Sequence, residues 1–458
     1  MNHEILFRDL GDRVIRVALT GAKGGFGRTL LAQLRLIPRF SVAALCDLDA
    51  EGVLLLLDEL GYPAGAAAPC ADADEARAAA AAGRIAVVRD HALLAAVPAD
   101  IVVEATGQPE VGARVAVDAI ERGVHVAMVT KETDSVVGPH LNRLARRRGV
   151  VYTTADGDQP SNLIGLVSWA RLLGFEVVAA GKSSEYDFVF DHATGEASYT
   201  DLRRAAPGLA ELWTLGDDVP SGLTRRSEAL AALPQNATPD HCEMNVVANS
   251  TGLLPSRPAL SYPVCRITEL ADVFVPREDG GVLDRTGVVD VFNCLRRPDE
   301  VSFGGGVFVV VRCGDRVSWE MLRGKGHVVG RSGRHACIFL PYHLMGLETP
   351  VSLLSAVGHG RASGSDTQRV HAVMVARADR DFRAGETLRM GGHHHEVTDT
   401  TALLLPAAEA AGCAPLYLAA NKRLLADVPR GTLLREDALD LDRSLLHALR
   451  RDVALPVA

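Results

Sequence analysis

The sequence predicts an α/β protein built on a doubly wound parallel sheet, and three observations carry that expectation. An apolar run, Val14–Leu19, breaks into glycine at Gly21 and opens into the helical pattern RTLLAQLRLI. Strand-like apolar runs then alternate with amphipathic helical patterns as far as Thr154, the texture of parallel strands joined by right-handed helical crossovers. Beyond Asp156 the alternation stops, and enough of the 458 residues remain for further domains with cores of their own.

The first turn reads GAKGGFG, with Gly21, Gly24 and Gly27 in G-x-x-G-x-x-G spacing. Strand, glycine turn and helix start in that order make a phosphate-binding unit. The glycines let backbone approach a pyrophosphate, and the helix N-terminus offers unpaired N–H groups. Lys23, Gly25 and Phe26 complete this cofactor-binding stretch. The next strand, FSVAALCD, ends at Asp47. An acid about twenty residues past the last glycine is where a Rossmann-type fold holds the adenosine ribose hydroxyls. Asp47 therefore favours NAD over NADP, with Asp49 as its neighbouring competitor.

Residues 50–83 read as helices, IAVVRD as a short strand and HALLAAV as a helix. ADIVVEATG is a buried strand whose end presents Ala105, Thr106 and Gly107, at the sheet edge where ligands bind. VHVAMVTKETD is the next strand, with Lys131 leaving its end, and VVYTTADGDQP follows after a helix. Residues 1–155 thus form a dinucleotide-binding domain. Residues 156–362 are assigned to a mixed α+β substrate, catalytic and oligomerisation domain, containing the strand FEVVAAGK and the helix HCEMNVVANSTGL. Residues 188–238 read as polar and irregular. The small, polar stretch Gly358–Gln368 marks a boundary, and residues 363–458 form a small β-rich domain. In it the phrases FRAGETL (Phe382–Leu388) and VPRGTLL (Val428–Leu434) echo one another.

Hydride transfer asks the protein for orientation, carbonyl polarisation and proton movement. Lys131 is the first candidate, for catalysis and for the cofactor edge; the alternative is a surface lysine paired with Glu132. Asp158 lies in the turn at the next strand end, either orienting substrate or capping a helix. Lys182 reads as a second strand-end lysine. Glu243 and Asn245 are polar residues in an apolar helix and need partners or a task. Tyr342 and His343, with Glu348 beyond them, form a possible acid/base pair. The His393–His395 triplet does not read as a metal site, because neighbours on a strand point to opposite faces. Asp156, Asp158, Glu185 and Asp187 could converge, so a divalent metal stays open without a clear motif.

The net charge of −9, with Arg146–Arg148 as the one basic run, argues against a nucleic-acid partner. Eight scattered cysteines show no C-x-x-C pair, which fits a reducing cytoplasm better than a zinc or dithiol site. The polar start MNHEILFRDLGDR is unlike a secretory signal, and no apolar run is long enough to span a bilayer. The expected partners are a small-molecule substrate and further copies of the chain.

The N-terminal third resembles the nucleotide domain of homoserine dehydrogenases, in which a lysine also follows a V-x-x-x-K strand end. Over nearly the whole chain, the order GAKGGFGRTLLAQL, EATGQP, MVTKETD, TADGDQPSNLIGL, FEVVAAGK, VVANSTGL, PYHLMGLETP and VPRGTLL resembles another group. These are the 1-deoxy-D-xylulose 5-phosphate reductoisomerase-like, homoserine-dehydrogenase-like oxidoreductases ending in a SAF domain. The resemblance implies NAD(P)H-dependent reduction, either coupled to isomerisation of a sugar-phosphate carbonyl or as plain sugar-acid or homoserine-type dehydrogenation. It implies NADP, against Asp47. After AAGK the chain has SSEYD, whose Glu185 and Asp187 would repel a phosphate. The reading of another class is a non-enzymatic dinucleotide sensor.

Overall fold

The computed structural model describes residues 2–392 and 394–451. Seven strands form a parallel sheet: β1 (Ile15–Thr20), β2 (Phe40–Cys46), β3 (Ala67–Pro69), β4 (Ile85–Val88), β5 (Ile101–Glu104), β6 (His125–Met128) and β7 (Tyr152–Thr154). Their spatial order is β3-β4-β2-β1-β5-β6-β7. The order reverses between β1 and β5, so a crevice opens there at the C-terminal edge, where such sheets bind ligands. Ile15, Val17 and Leu19 point into one core and Ala18 into another, as a sheet covered on both faces requires.

The short α1 (His3–Leu6) precedes this sheet, and five helices connect its strands: α2 (Gly25–Leu34), α3 (Ala50–Glu59), α4 (Ala73–Ala81), α5 (Pro109–Glu121) and α6 (Lys131–Arg148). Local chemistry sets their ends. Asp49 caps α3 by accepting from the Gly52 amide, and Asp72 caps α4. Gly149, at φ +70°, stops α6 after its arginine run. HALLAAV is a 3₁₀ turn over His91–Ala96 rather than a full helix.

The second domain hangs on β8 (Val177–Asp191). This strand pairs parallel with Val288–Arg296 and antiparallel with Val307–Arg312, which in turn pairs with His335–Leu340. Helices α7 (Gln159–Leu172) and α9 (Thr238–Thr251) pack on one another beside it. The stretch read as irregular is ordered: it holds the last four residues of β8, then β9 (Glu196–Tyr199), β10 (Leu202–Ala205) and α8 (Val219–Ala229). It has a small apolar core of its own, with Phe188, Phe190, Leu209, Leu230 and Leu233, and a buried ion pair beside it. Arg226, fully buried on α8, binds Glu269 through both terminal nitrogens.

Helix Pro350–His359 returns to the first sheet, and Leu353, Ala356 and Val357 join the core of Ile15, Val17 and Leu19. Its apolar face covers β1, β6 and β7, so the chain leaves the first domain twice. The third domain is built on the antiparallel pair Ala372–Ala378 and Thr400–Pro406. Its last helix, Leu445–Arg451, packs on α5 and α6. Among the described residues no helix is long and apolar enough to cross a membrane.

Candidate active site

The glycine turn after β1 is shaped by contacts that exclude side chains. Gly21 sits at φ +66°, and a Cβ on it would lie 2.2 Å from the Ala105 carbonyl oxygen. The turns after β1 and β5 therefore touch, as two walls of one crevice. A Cβ on Gly27 would meet the Ala22 carbonyl oxygen at 2.6 Å. Gly24 is the N-cap of α2 and Gly25 its first residue, so free N–H groups face the crevice beside Lys23 and Phe26. This cradle fits a dinucleotide pyrophosphate.

Asp47 follows β2 directly. Its carboxylate accepts from the backbone amides of Lys23, at 2.9 Å, and Asp49, at 3.0 Å, which fixes it beside the glycine turn. Asp49 instead caps α3 and pairs with Lys23. On the other wall Glu104, buried at the end of β5, binds the Thr106 amide and hydroxyl. Gly107 donates to the Thr130 hydroxyl at 2.9 Å.

A cavity of about 390 Å³ opens at this edge, with Phe26, Lys131, Asp158, Glu185, Glu243 and His343 among its walls. Lys131 is not a strand-end residue: β6 stops at Met128, and Lys131 is the first residue of α6. Its ammonium pairs with Glu243 Oε1 rather than with Glu132. Lys182 departs further from the strand-end reading. It lies inside β8 with no side-chain exposure, because β8 runs on to Asp191. It donates to Asp240 Oδ1 at 2.7 Å and to Glu243 Oε2. Asp240 Oδ2 accepts from Ser184 at 2.7 Å. One turn of α9 thus presents Asp240 and Glu243 to two lysines.

Burial pulls both ammoniums down, but the surrounding carboxylates outweigh it and hold both above the usual lysine range. Burial pushes Glu243 up, yet Lys131 and Lys182 together bring it to about 2. Glu243 is therefore held as the anion between two cations. Asp158 caps α7 by accepting from the Gln159 amide at 3.1 Å and also faces the cavity. Burial, with Glu243 beside it, raises its pKa against Lys131 and His343. Asp158 is thus displaced toward its protonated form, in the opposite direction to Glu243.

The other candidates separate. His343 lines the cavity and hydrogen bonds the Gly157 carbonyl at 3.0 Å through Nδ1. Tyr342 is exposed, and Glu348 accepts from the Leu344 amide at 2.8 Å. Asn245 donates to the Ala372 carbonyl at 3.0 Å, joining domains away from the cavity. Of the four acids read as converging, only Asp158 and Glu185 share the cavity; Asp156 accepts from Ser161 and Asp187 is taken by Arg296 and Ser302. Among the described residues no group of three His, Cys, Asp or Glu is arranged to hold a metal. His393 lies outside the described residues, and His395 pairs with Glu132. The sequence reading missed Ser184 and Asp240. Both carried a signal: Ser184 is two residues from Lys182 on one strand face, and Asp240 is three from Glu243 on one helix face.

Residues 157–349, less than half of the chain, match the family model of the oxidoreductase DRL catalytic domain. No curated protein matches. Among solved structures, dihydrodipicolinate reductase from Paenisporosarcina sp. TG-14 aligns at 13% identity over 76% of this chain and 94% of that one, with a TM-score of 0.33. A probable dehydrogenase from Thermotoga maritima aligns at 11% identity over 76% and 90%, with a TM-score of 0.38. UDP-N-acetylglucosamine 3-dehydrogenase GnnA from Acidithiobacillus ferrooxidans aligns at 14% over 77% and 92%, with a TM-score of 0.37. At these scores the alignments say nothing of substrate. The catalytic-domain match and the dinucleotide-type sheet define the class: an NAD(P)-dependent oxidoreductase.

Proposed function

We propose that this chain transfers a hydride between a nicotinamide dinucleotide and a small hydroxylated carbonyl compound or sugar derivative held in the cavity between the first sheet and β8. The supporting observation is Lys131, a cation on the cavity wall at the sheet edge that carries the glycine cradle. When bound, the dinucleotide supplies or accepts the hydride. Gly21, Gly24, Gly25 and Gly27 would cradle its pyrophosphate, with Asp47 at its ribose. Lys131 polarises the substrate carbonyl and steadies the oxygen as negative charge grows on it. Glu243 fixes the direction of that ammonium, and Lys182 and Asp240 fix Glu243. Asp158 exchanges the proton with the substrate hydroxyl.

The balance of charge favours an unphosphorylated substrate. Both lysines are committed to carboxylates, and Glu185 and Asp158 line the same cavity. A phosphate dianion would meet more negative than free positive charge. Plain dehydrogenation is therefore preferred to the sugar-phosphate reductoisomerase reaction. The test is turnover of a panel of hydroxyaldehydes, hydroxyketones and sugar acids with NADH, NADPH and their oxidised forms. Product analysis should show an unchanged carbon skeleton. A rearranged skeleton would replace this reading with the isomerising one, and no turnover on any panel member would refute the substrate class.

A further inference from the structure

The third domain reaches the crevice of the first at two points. The turn Ala105–Gln108, which forms one wall, is flanked by two carboxylates: Glu110 near the start of α5 and Glu132 near the start of α6. The third domain holds both. Lys422 Nζ donates to Glu110 Oε1 at 2.7 Å, Ser444 Oγ at 2.5 Å, and the Leu445 amide to Oε2 at 3.0 Å. His395 Nδ1 donates to Glu132 Oε1 at 2.6 Å. The His395 ring also lies on Gly107, where a Cβ would come within 2.4 Å of Cε1. His395 adopts φ +49°, a conformation that side chains other than glycine seldom take, so the pairing is held against local backbone preference.

We infer that the third domain is a working part of the cofactor site, in which His395 acts as a positioning residue by occupying Glu132. The inference rests on the dinucleotide reading above. Glu132 is almost buried and adjoins Lys131. It is one of three carboxylates that act on that ammonium, after Glu243 and Asp158. Left unpaired, it would compete with Glu243 for Lys131 and leave a bare charge behind the Ala105–Gln108 wall of the crevice. With His395 in place, Lys131 remains with Glu243, and the turn keeps its approach to Gly21. Two charged groups face the imidazole, both from α6. The Glu132 hydrogen bond holds it above the ordinary histidine value, against burial and Lys131.

The test is nicotinamide fluorescence titration of NADH and NADPH against the full chain, alongside the variants His395→Ala, Glu132→Gln and the double variant. His395→Ala should weaken the preferred dinucleotide on the order of tenfold, within the range of coupled neighbouring groups. The double variant should regain most of that loss, because no unpaired carboxylate is left. A ring that merely packs on Gly107 would show equal losses in single and double variants, and that result would overturn the inference. So would wild-type affinity in His395→Ala. If His395→Ala does not fold, the same cycle is run with Lys422→Met and Glu110→Gln, where an unrelieved loss again counts against the idea. Wild-type protein that binds neither nucleotide would remove the dinucleotide reading itself.

Discussion

Glu243 gives one carboxylate oxygen to Lys131 and the other to Lys182, so one buried anion is shared by two cations. The two lysines differ in access. Lys131 opens onto the cavity, and Lys182 is sealed beneath it. On the proposed function, that difference makes Lys131 the group that meets substrate and Lys182 its support.

Removing the shared anion should be costly. Glu243→Gln leaves two buried ammoniums with weaker partners, and urea unfolding at neutral pH should show a loss of about 3 kcal/mol. The pH dependence has a definite sign. The folded value of Glu243, about 2, lies below its ordinary 4.5. Its contribution is therefore fully present above 4.5 and is lost as pH falls from 4.5 through 2. Wild-type stability should fall across that window with an excess slope that Glu243→Gln lacks. Identical acid slopes in the two proteins would contradict the shared-anion account.

The lysines should fail in different ways. Lys131→Met removes the group that polarises the substrate and should lower kcat by about a hundredfold or more, while NADH or NADPH binding is retained. Lys182→Met strands Asp240, leaves Glu243 with Lys131 alone, and should cost about 3 kcal/mol of stability. Steady-state kinetics with thermal melts separate the two. Unchanged turnover in Lys131→Met would take Lys131 out of the mechanism.

The crevice gives two further expectations. Gly21→Ala would drive a Cβ into the Ala105 carbonyl at a left-handed φ, so it should abolish binding of both nucleotides. Asp47→Ala should raise the NADPH-to-NADH affinity ratio about tenfold, because an acid at the ribose repels a 2′-phosphate. An unmoved ratio, measured by fluorescence titration, would shift cofactor selection to other residues.

How far the sequence disclosed this site depends on the range of the contacts. The parallel sheet and glycine cradle were legible because strand alternation and turn chemistry are local. Lys131 and Asp158 stand out in the sequence because each follows a strand-like apolar run. The pairing of Lys182 with Asp240 and Glu243 was not legible, since it joins β8 to α9 across a long insertion. Around His395 the sequence offers only a run of three histidines. Its partner lies in the first domain, 263 positions away in the chain, and no local pattern marks it. The return of Pro350–His359 to the first sheet was hidden for the same reason.

The echo between FRAGETL and VPRGTLL is the sequence feature whose geometry is most specific. Phe382 and Val428, the first residue of each phrase, bridge one another. The Gly385 amide donates to the Leu424 carbonyl at 2.7 Å, and the Gly431 amide to the Ala378 carbonyl at 2.7 Å. The Ala384 amide donates to Asp427 Oδ1 and the Arg430 amide to Asp381 Oδ1, each at 2.8 Å. The two phrases are thus related by a local twofold axis through the Phe382–Val428 bridge. Gly385 at φ +91° and Gly431 at φ +84° are its equivalent turns, and neither has an atom within 4 Å of where a Cβ would lie. An alanine at either site meets no clash and pays only the cost of left-handed backbone. Gly385→Ala and Gly431→Ala should therefore each lower stability by about 1–2 kcal/mol, with equal losses in urea unfolding. A large loss at one glycine and none at the other would mean that the repeat is one of sequence alone, without an energetic twofold.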